Sequence, residues 1–328
     1  MNVPLDRLRI PAICSPMFIV SGPELVIAQC KAGVVGSMPA LNARPQSLLD
    51  EWLSQIKAEL ADHDRQYPQQ RSAPYAVNLI AHKSNVRLEA DLATCEKHKV
   101  PIVITSLGAR PELNQAVHAW GGIVLHDVIN QTFAHKAVER GADGLILVAA
   151  GAGGKAGTVT PFAFVAETRK WFSGPLVVGG GIGSGRAIRA AEVLGADFAY
   201  IGSIFIATEE ANAIRDYKDL IVAGTADEII YTNAFTGIHA NYLKSSIRRA
   251  GLDPDALVRL DNSDLLRSVD EKPAANESTD KKAWRDIWGC GQGIGAMTSI
   301  IPVAQLVDRL AREYDEACAI PSSRKAGR

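Results

Sequence analysis

Residues 144–157 of the chain read GLILVAAGAGGKAG, an apolar run that ends in a glycine-rich turn with Lys155 as its charged side chain. The apolar part is continuous rather than alternating, which is typical of a parallel strand covered on both faces. Because glycine has no Cβ, a ligand can approach the backbone of such a turn closely. The stretch therefore predicts a buried strand that leads into a ligand-binding loop.

Seven other runs have the same apolar, β-branched character, and amphipathic stretches such as 46–60 and 186–194 lie between them. Eight strand–helix units within about 208 residues fit an α/β fold of the (β/α)8, or TIM, barrel type, with an open doubly wound sheet as the alternative. The seven runs are residues 10–17, 34–39, 75–80, 101–106, 122–128, 175–180 and 198–206.

The alternation of strands and helices stops after residue 208, and the amphipathic stretch 303–314 supplies a last outer helix. Residues 262–283 are polar and charged with almost no core-forming side chains, which is typical of an exposed loop or flap. We therefore predict a barrel formed by residues 1–208 and 296–328. A smaller helical insertion, residues 209–295, is expected to lie over one mouth of the barrel as a substrate or lid domain.

The bulk composition narrows the functional classes. The chain has 328 residues, of which 47% are hydrophobic, and a formal net charge of −1, so no excess charge favours nucleic acid or an anionic membrane as a partner. It has no signal-like start and no apolar run of the roughly 18–20 residues that a spanning helix needs. The five cysteines are scattered without a CxxC pair, which predicts reduced thiols and no metal site in a cytoplasmic protein. The oligomeric state stays open, with a homodimer as one option.

Two glycine motifs follow the seventh and eighth predicted strands: GGGIGSG at residues 179–185, and Gly202-Ser203. Barrel enzymes hold phosphate groups between these two loops with bare backbone N–H groups and a helix N-terminus. We therefore expect a phosphate-bearing ligand here, either flavin mononucleotide (FMN) or a sugar phosphate. The alternative is that the glycines serve only tight turns.

Polar side chains also mark the ends of strands one, three and five, where Ser15, Asn78 and the pair His126-Asp127 stand. Polar groups at the carboxyl ends of barrel strands are candidates for ligand contacts. Each has a structural alternative. Asn78 can satisfy local backbone groups, His126 can be a hydrogen-bonded core residue, and Asp127 can cap the following helix.

Together these motifs resemble the nitronate monooxygenases, formerly called 2-nitropropane dioxygenases. The resemblance rests on Pro16-Met17, on AGAGGKAG at residues 150–157, on the two glycine loops, and on GCGQG at residues 289–293. It implies an FMN-bound TIM barrel with a helical substrate domain. The same superfamily contains flavin-dependent enoyl-acyl-carrier-protein reductases and some quinone reductases, so the motifs specify the superfamily better than the substrate.

The resemblance also implies roles for individual residues. The residues of strand end one line the isoalloxazine ring, Asn78 and Asp127 lie near its polar edge, the glycine loops bind the phosphate, and Gln292 approaches from the insertion. The full set of implied cofactor-binding residues is Pro16, Met17, Phe18, Asn78, Asp127, Gly154, Gly179, Gly180, Gly181, Gly202, Ser203 and Gln292.

One position departs from the family pattern. The family loop normally reads GGHAG, and its histidine is the proposed base that takes the α-proton of a nitroalkane, whereas this chain has Lys155 as the candidate catalytic residue. Free lysine has a pKa of about 10.4, so only about one side chain in 10³ is neutral at pH 7. To act as a base, Lys155 needs a pKa of roughly 7–8. The interpretation that we favour is a charged anchor for an anion, and a nitronate is already an anion.

The functional prediction is therefore an FMN-dependent oxidoreductase that oxidises an alkyl nitronate or a similar small anion with oxygen. The first alternative is an NAD(P)H-dependent flavin reductase that acts on an enoyl thioester or a quinone. Two further alternatives are a non-redox barrel in which Lys155 forms a Schiff base, and a catalytically silent flavin-binding protein.

Overall fold

The computed structural model describes residue 3 and residues 5–235, 237–257 and 287–320. The strands in chain order are β1 (Ala12–Cys14), β2 (Gly36–Pro39), β3 (Tyr75–Ile80), β4 (Ile102–Ser106), β5 (Ile123–Val128), β6 (Gly144–Val148), β7 (Gly154–Lys155), β8 (Leu176–Gly179), β9 (Phe198–Ile201), β10 (Ile229–Thr232) and β11 (Ala240–Leu243).

Eight of these strands form one parallel sheet in the order β1-β9-β8-β6-β5-β4-β3-β2. The two strands at the ends of this order meet through a parallel bridge between Ile13 and Val35. The N–H of Cys14 donates to the carbonyl of Val35 at 2.8 Å, so the sheet closes on itself. The predicted (β/α)8 barrel is confirmed.

Helices follow the barrel strands on the outside, and the last of them, α11, packs against α7 and α1 as the predicted final outer helix. In the described part of the chain, no helix is both long and apolar enough to cross a membrane. The helices are α1 (Pro23–Lys31), α2 (Leu48–Gln66), α3 (Leu88–His98), α4 (Pro111–Ala119), α5 (Gln131–Glu139), α6 (Pro161–Arg169), α7 (Gly185–Leu194), α8 (Ser203–Ile206), α9 (Arg215–Ala223), α10 (Lys244–Arg249) and α11 (Val303–Cys318).

The interior of the barrel is an apolar cluster to which β1, β3–β6, β8 and β9 contribute. Ile104 of β4 and Leu125 of β5 belong to it and are fully buried. Because successive strand residues point to opposite faces, the residues two positions further along, Ser106 and Asp127, also face the interior. They do so at the carboxyl ends of the strands, the end that we call the mouth.

A second, three-stranded antiparallel sheet lies beyond the barrel strands. In it β11 pairs with β10 on one side and with the two-residue strand β7 on the other, where Ala240 lies opposite Lys155. The sequence prediction of a helical insertion holds for α9 and α10 but missed the two strands between them. The predicted loop 262–283 lies outside the described residues, and the boundaries of the insertion stay a prediction.

One apolar core crosses the predicted boundary between barrel and insertion. Phe205 from the barrel side, Trp288 and Cys290 from the insertion, and Leu310 of α11 are all buried in the same cluster. The segment around Gly289–Gly293 is therefore fixed against the barrel, which places it beside the ends of the strands.

Candidate active site

A chain of hydrogen bonds runs across the ends of three neighbouring strands. Asn78 at β3 is buried, and its Nδ2 donates to the carbonyl of Ile104 at 3.0 Å and to Oγ of Ser106 at 2.8 Å. Ser106, the last residue of β4, in turn donates from its Oγ to Oδ2 of Asp127 on β5 at 2.6 Å. Asn78 therefore satisfies a local backbone group, as the alternative held, and also helps to position the carboxylate of Asp127.

The carboxyl group of Asp127 has an unusual electrostatic environment. Burial raises its pKa to about 6, while the hydrogen bond from Ser106 and the positive charge of Lys155 act in the opposite direction. Asp127 does not cap the following helix, because Asn130 does so by accepting from the N–H of Phe133 at 2.9 Å. Its carboxylate is thus free for another role at the mouth.

Lys155 stands on the loop that follows β6 and is close enough to Asp127 for each to influence the pKa of the other. Its side chain is exposed by surface area, yet enough protein atoms surround it for burial to lower its pKa, and the charge of Asp127 opposes that shift. Pairing of β7 with β11 fixes the backbone of Lys155. The lysine and the carboxylate therefore form an electrostatic pair at the mouth.

The insertion also holds this loop through side chains. Asn241 Nδ2 donates to the carbonyl of Ala152 at 2.6 Å, and the hydroxyl of Tyr231 donates to the carbonyl of Ala156 at 2.9 Å. Both acceptors are backbone carbonyls that no regular sheet or helix would otherwise satisfy. The position of Lys155 thus depends on the insertion as well as on the barrel.

Tyr200 of β9 lies near Asp127 and so borders the hydrogen-bonded series Asn78, Ser106 and Asp127, which we call the polar layer. Its hydroxyl is hydrogen-bonded to Ser15, and burial followed by the charge of Asp127 raises its pKa well above the ordinary value. Tyr200 is therefore a neutral hydrogen-bonding group near the carboxylate. The backbone of Gly179 packs tightly on this tyrosine, since a Cβ at position 179 would lie 3.2 Å from the Cβ of Tyr200.

The opposite side of the mouth is made of backbone. Gly181 has a φ of +69°, and apart from its chain neighbours no atom of the described residues lies within 4 Å of the place where its Cβ would be. Gly151 accepts from the N–H groups of both Gly181, at 3.2 Å, and Gln292, at 2.9 Å. Ser203 Oγ accepts from the N–H of Gly291 at 2.7 Å, which leaves its own O–H as a donor. The structure thus brings the two glycine loops and the segment of Gln292 together.

The N-terminus of α7 differs from expectation. The sequence assigned phosphate binding partly to this helix end, but Oε2 of Glu313 already accepts from the N–H of Gly185 at 2.7 Å. Ser184 caps the same turn by accepting from Ala187 at 3.2 Å. A carboxylate of the protein itself therefore occupies part of this helix end, and the phosphate-binding role of the α7 N-terminus stays a prediction.

The residues after β1 divide into two groups. Pro16 and Met17 are half-buried, and Oγ of Ser21 accepts from the N–H of Met17 at 3.0 Å. A Cβ on Gly202 would lie 3.6 Å from Sδ of Met17, so these two strand ends are neighbours. Phe18, by contrast, is 50% exposed and lies beneath the guanidinium of Arg44 at 5.2 Å. Phe18 therefore does not join the polar layer.

His126 lies on the other face of β5. Its Nδ1 is hydrogen-bonded to Oγ1 of Thr105 at 2.5 Å, and burial lowers its pKa to about 4. It is the hydrogen-bonded core residue of the alternative reading. Among the described residues, no three His, Cys, Asp or Glu side chains lie close enough together to hold a metal ion.

Comparison with known families places this geometry in context. The profile of the family described as nitronate monooxygenase matches residues 5–313. The chain belongs to the nitronate monooxygenase family. A nitronate monooxygenase from Paraburkholderia phytofirmans is 27% identical to this member over 360 aligned residues, which cover 96% of the chain and 95% of that protein. The family consists of flavin-containing oxidoreductases.

Other similarities concern a further relative and the fold. A (3aS,4S,5R,7aS)-5-hydroxy-7a-methyl-1-oxo-octahydro-1H-indene-4-carboxyl-CoA dehydrogenase from Rhodococcus jostii is 27% identical over 67% of this chain and 59% of that protein. The nitroalkane oxidase structure from Streptomyces ansochromogenes superposes with a TM-score of 0.75 at 24% identity, covering 96% of this chain and 98% of that one. FabK from Thermotoga maritima gives 0.74 at 23% identity, covering 95% and 94%. At these identities both structures show the barrel fold alone.

The mouth of this nitronate monooxygenase family member fits a flavin. Gly154 and Gly181 both have positive φ, and a Cβ at either position would project into open space. The bare backbone lets a planar ring and a phosphate approach closely, and Ser203 has a hydroxyl hydrogen to donate. Together, these loops and the polar layer supply hydrogen-bond donors and open space for such a group.

Reasoning from the sequence missed three residues that the structure places at this site. Ser106 and Tyr200 fell inside predicted strands, and Asn241 fell in a segment without an assigned element. The inward orientation of Ser106 could have been predicted, because this residue stands two positions after the inward-facing Ile104 at a strand end. The bond from Asn241 depends on the pairing of β11 with β7 and had no local signal.

Proposed function

We propose that this protein is an FMN-dependent oxidoreductase that oxidises an alkyl nitronate or a similar small anion with oxygen. The observation that carries the proposal is the position of Lys155, which stands at the mouth beside Asp127 on a loop fixed from two sides. Burial lowers the pKa of Lys155, and the neighbouring carboxylate of Asp127 opposes that shift by favouring the protonated form. The cation can then bind the oxygens of a nitronate.

The same proposal assigns the cofactor residues. Gly180, Gly181, Gly202 and Ser203 hold the phosphate, and the half-buried Pro16 and Met17 line the ring, with Phe18 at the outer rim. Asn78 and Asp127 lie at the polar edge of the ring. Gly154 and Gly179 leave room for the ring, and the side chain of Gln292 approaches over Gly151. Held by these residues, FMN would supply the redox chemistry, which is the transfer of two electrons from the substrate to oxygen.

The protein's own groups carry the rest of the chemistry. Lys155 binds and orients the anion by a charge-assisted hydrogen bond, which is stronger than a neutral one. We also assign substrate coverage to the insertion, residues 209–295, because its strands β10 and β11 hold the Lys155 loop. The barrel comprises residues 1–208 and 296–328, and we expect a cytoplasmic location.

The decisive experiment starts with the absorbance spectrum of the purified protein. We expect a yellow protein that releases FMN, and not FAD, when it is denatured. Oxygen uptake is then measured with an alkyl nitronate as substrate, with the neutral nitroalkane and NADH in parallel. Absence of flavin, or oxygen uptake that no nitronate stimulates, contradicts the proposal.

A second function is favoured by the apolar side chains around the mouth. Leu107, Ile129 and Ile238, which follow β4 and β5 and precede β11, are each about 39% exposed. Such a rim suits a substrate with an apolar portion, and one relative is named as acting on a carboxyl-CoA. The alternative is an NAD(P)H-dependent flavin reductase for an enoyl thioester or a quinone. Rapid anaerobic bleaching of the flavin by NADH supports this alternative, and its absence supports nitronate oxidation.

A further inference from the structure

We infer that Asp127 is a second catalytic residue, the carboxylate that removes the α-proton of a neutral nitroalkane while Lys155 binds the nitro group. This inference rests on the proposed function and extends its substrates from nitronates to the carbon acids from which they form. The loop after β6 supplies Lys155, which we assign to anion binding, so we assign the base to the neighbouring strand β5.

The geometry of Asp127 suits this role. It faces the barrel interior at the end of β5, and its hydrogen bond from Ser106 goes to Oδ2. Among the described residues no hydrogen bond to Oδ1 is present, so this oxygen can accept a proton. Ser106 is itself held by Asn78, so two residues fix the orientation of the carboxylate. Ser106 is a positioning residue, since it acts through Asp127.

The electrostatic environment of the mouth also suits Asp127 to the role of a base. A pKa of about 6 keeps Asp127 ionised at neutral pH while making it a stronger base than an ordinary aspartate. The cation of Lys155 stands beside it, where negative charge develops on the nitro oxygens as the proton leaves. Asp127 therefore takes the proton, and Lys155 stabilises the negative charge on the nitro group.

Other titratable groups around Asp127 are poorly placed for the same task. His126, on the same strand, faces away and is bonded to Thr105. Tyr200 of β9 is neutral because burial raises its pKa. His239, just before β11, is exposed and stacks on Tyr231 with ring centroids 5.0 Å apart. Since Ala240 lies opposite Lys155, strand alternation turns His239 to the other face of that sheet.

The proton transfer balances without another reactant. The α C–H bond of the nitroalkane breaks, its electron pair stays on the substrate and spreads onto the nitro oxygens, and a new O–H bond forms at Oδ1 of Asp127. The resulting nitronate is the substrate of the proposed oxidation. Asp127 then returns the proton to water after the product leaves.

The central test compares two substrates in one variant. General-base catalysis contributes typically 10²–10⁴-fold. In Asp127→Asn we therefore expect kcat/KM to fall at least about 30-fold more for a neutral nitroalkane than for its preformed nitronate. Flavin content is measured in every preparation. Asp62→Asn, an exposed aspartate of α2 that pairs with Arg65, is the matched control and should leave both substrates unaffected. Equal losses on the two substrates overturn the inference.

The pH profile separates a base from a merely structural carboxylate. For wild type, kcat/KM on the nitroalkane should rise with pH around 6, where Asp127 loses its proton. The hydrogen bond from Ser106 lowers that pKa, so Ser106→Ala should move the midpoint upward while folding and flavin content persist. An unmoved midpoint in Ser106→Ala contradicts the assignment. His239→Gln should leave the profile in place, and loss of the profile in that variant makes His239 the base.

A readout without oxidation keeps this inference separate from the proposed function. Under anaerobic conditions in D2O, wild type should exchange the α-proton of a nitroalkane, as followed by NMR, and Asp127→Asn should lose that exchange. If exchange depends on Asp127 but no nitronate is oxidised in air, the proposed oxidation fails and the base assignment stands. If exchange is the same in both proteins, Asp127 is not the base.

Discussion

The two sides of the barrel mouth are built from different parts of the chain. At the ends of β3, β4 and β5 the lining is made of side chains, which form the series Asn78, Ser106 and Asp127. At the ends of β8 and β9 it is made of backbone, with glycines that leave open space. The first side carries charge, and burial and hydrogen bonds set its pKa values, whereas the second offers open space and the hydroxyl of Ser203 as a donor. Substitutions on the two sides should therefore fail in different ways.

The largest expected effect lies on the backbone side. In Gly181→Leu the new side chain would enter the open space that we assign to the flavin phosphate. Because charge-assisted hydrogen bonds to a phosphate are worth about 1.5–3 kcal/mol each, displacement of the phosphate predicts flavin binding weaker by roughly 10²-fold or more. Bound flavin per chain, measured after gel filtration, checks this expectation.

Backbone strain is controlled for by a second glycine. Gly121 also has a positive φ, of +86°, and open space at its Cβ position, but it follows α4. Gly121→Leu should therefore show the same conformational strain with full flavin content. If both variants lose flavin equally, the loss reflects strain rather than the loop after β8.

The next effect lies on the charged side. Lys155→Met removes the cation while keeping an unbranched side chain, so it should weaken the binding of anionic substrates and leave flavin bound. A charge-assisted hydrogen bond of about 1.5–3 kcal/mol corresponds to a loss of roughly 10–150-fold in kcat/KM. Steady-state kinetics with a nitronate measure it. Lys136→Met, at an exposed position of α5, is the control. An unchanged kcat/KM in Lys155→Met makes the lysine a bystander.

Asp127 should also affect stability in a pH-dependent way. Its pKa is raised from 3.8 to about 6 in the folded protein, so the folded state binds the proton more tightly and loses stability as the pH rises from about 4 to 6. Above pH 6 Asp127→Asn should therefore be more stable than wild type, by about 1–2 kcal/mol after allowance for partial exposure. Melting temperatures at pH 8 should differ by a few degrees, and at pH 4 they should coincide. A gain of the same size at both pH values means that ionisation is not its cause.

Some of these features could be predicted from the sequence and others could not. The eight barrel strands were predictable because each is a continuous apolar run, and the glycine loops because their composition is local. The three-stranded antiparallel sheet was not predictable, since β7 has only two residues and exists through its pairing with β11. The raised pKa of Asp127 was not predictable either, because burial is its main cause and depends on the assembled barrel. The carboxylate at the N-terminus of α7 comes from Glu313, 128 residues away.

The smallest expected effect tests whether the charged side depends on the insertion. Tyr231 donates its hydroxyl hydrogen to the carbonyl of Ala156, next to Lys155, at 2.9 Å. Tyr231→Phe removes only this bond and keeps the ring that stacks on His239. A neutral hydrogen bond contributes about 0.5–1.5 kcal/mol, so kcat/KM should fall by roughly 2–10-fold if the loop loses its alignment.

Flavin content should not change in Tyr231→Phe, because the bond is made to Ala156 and to none of the glycines after β8 and β9. Tyr67→Phe, an exposed tyrosine beyond α2, provides the matched control. A loss of flavin in Tyr231→Phe means that the two sides of the mouth are coupled through the Lys155 loop. Loss of activity without loss of flavin shows that the insertion positions the cation and the barrel alone holds the cofactor.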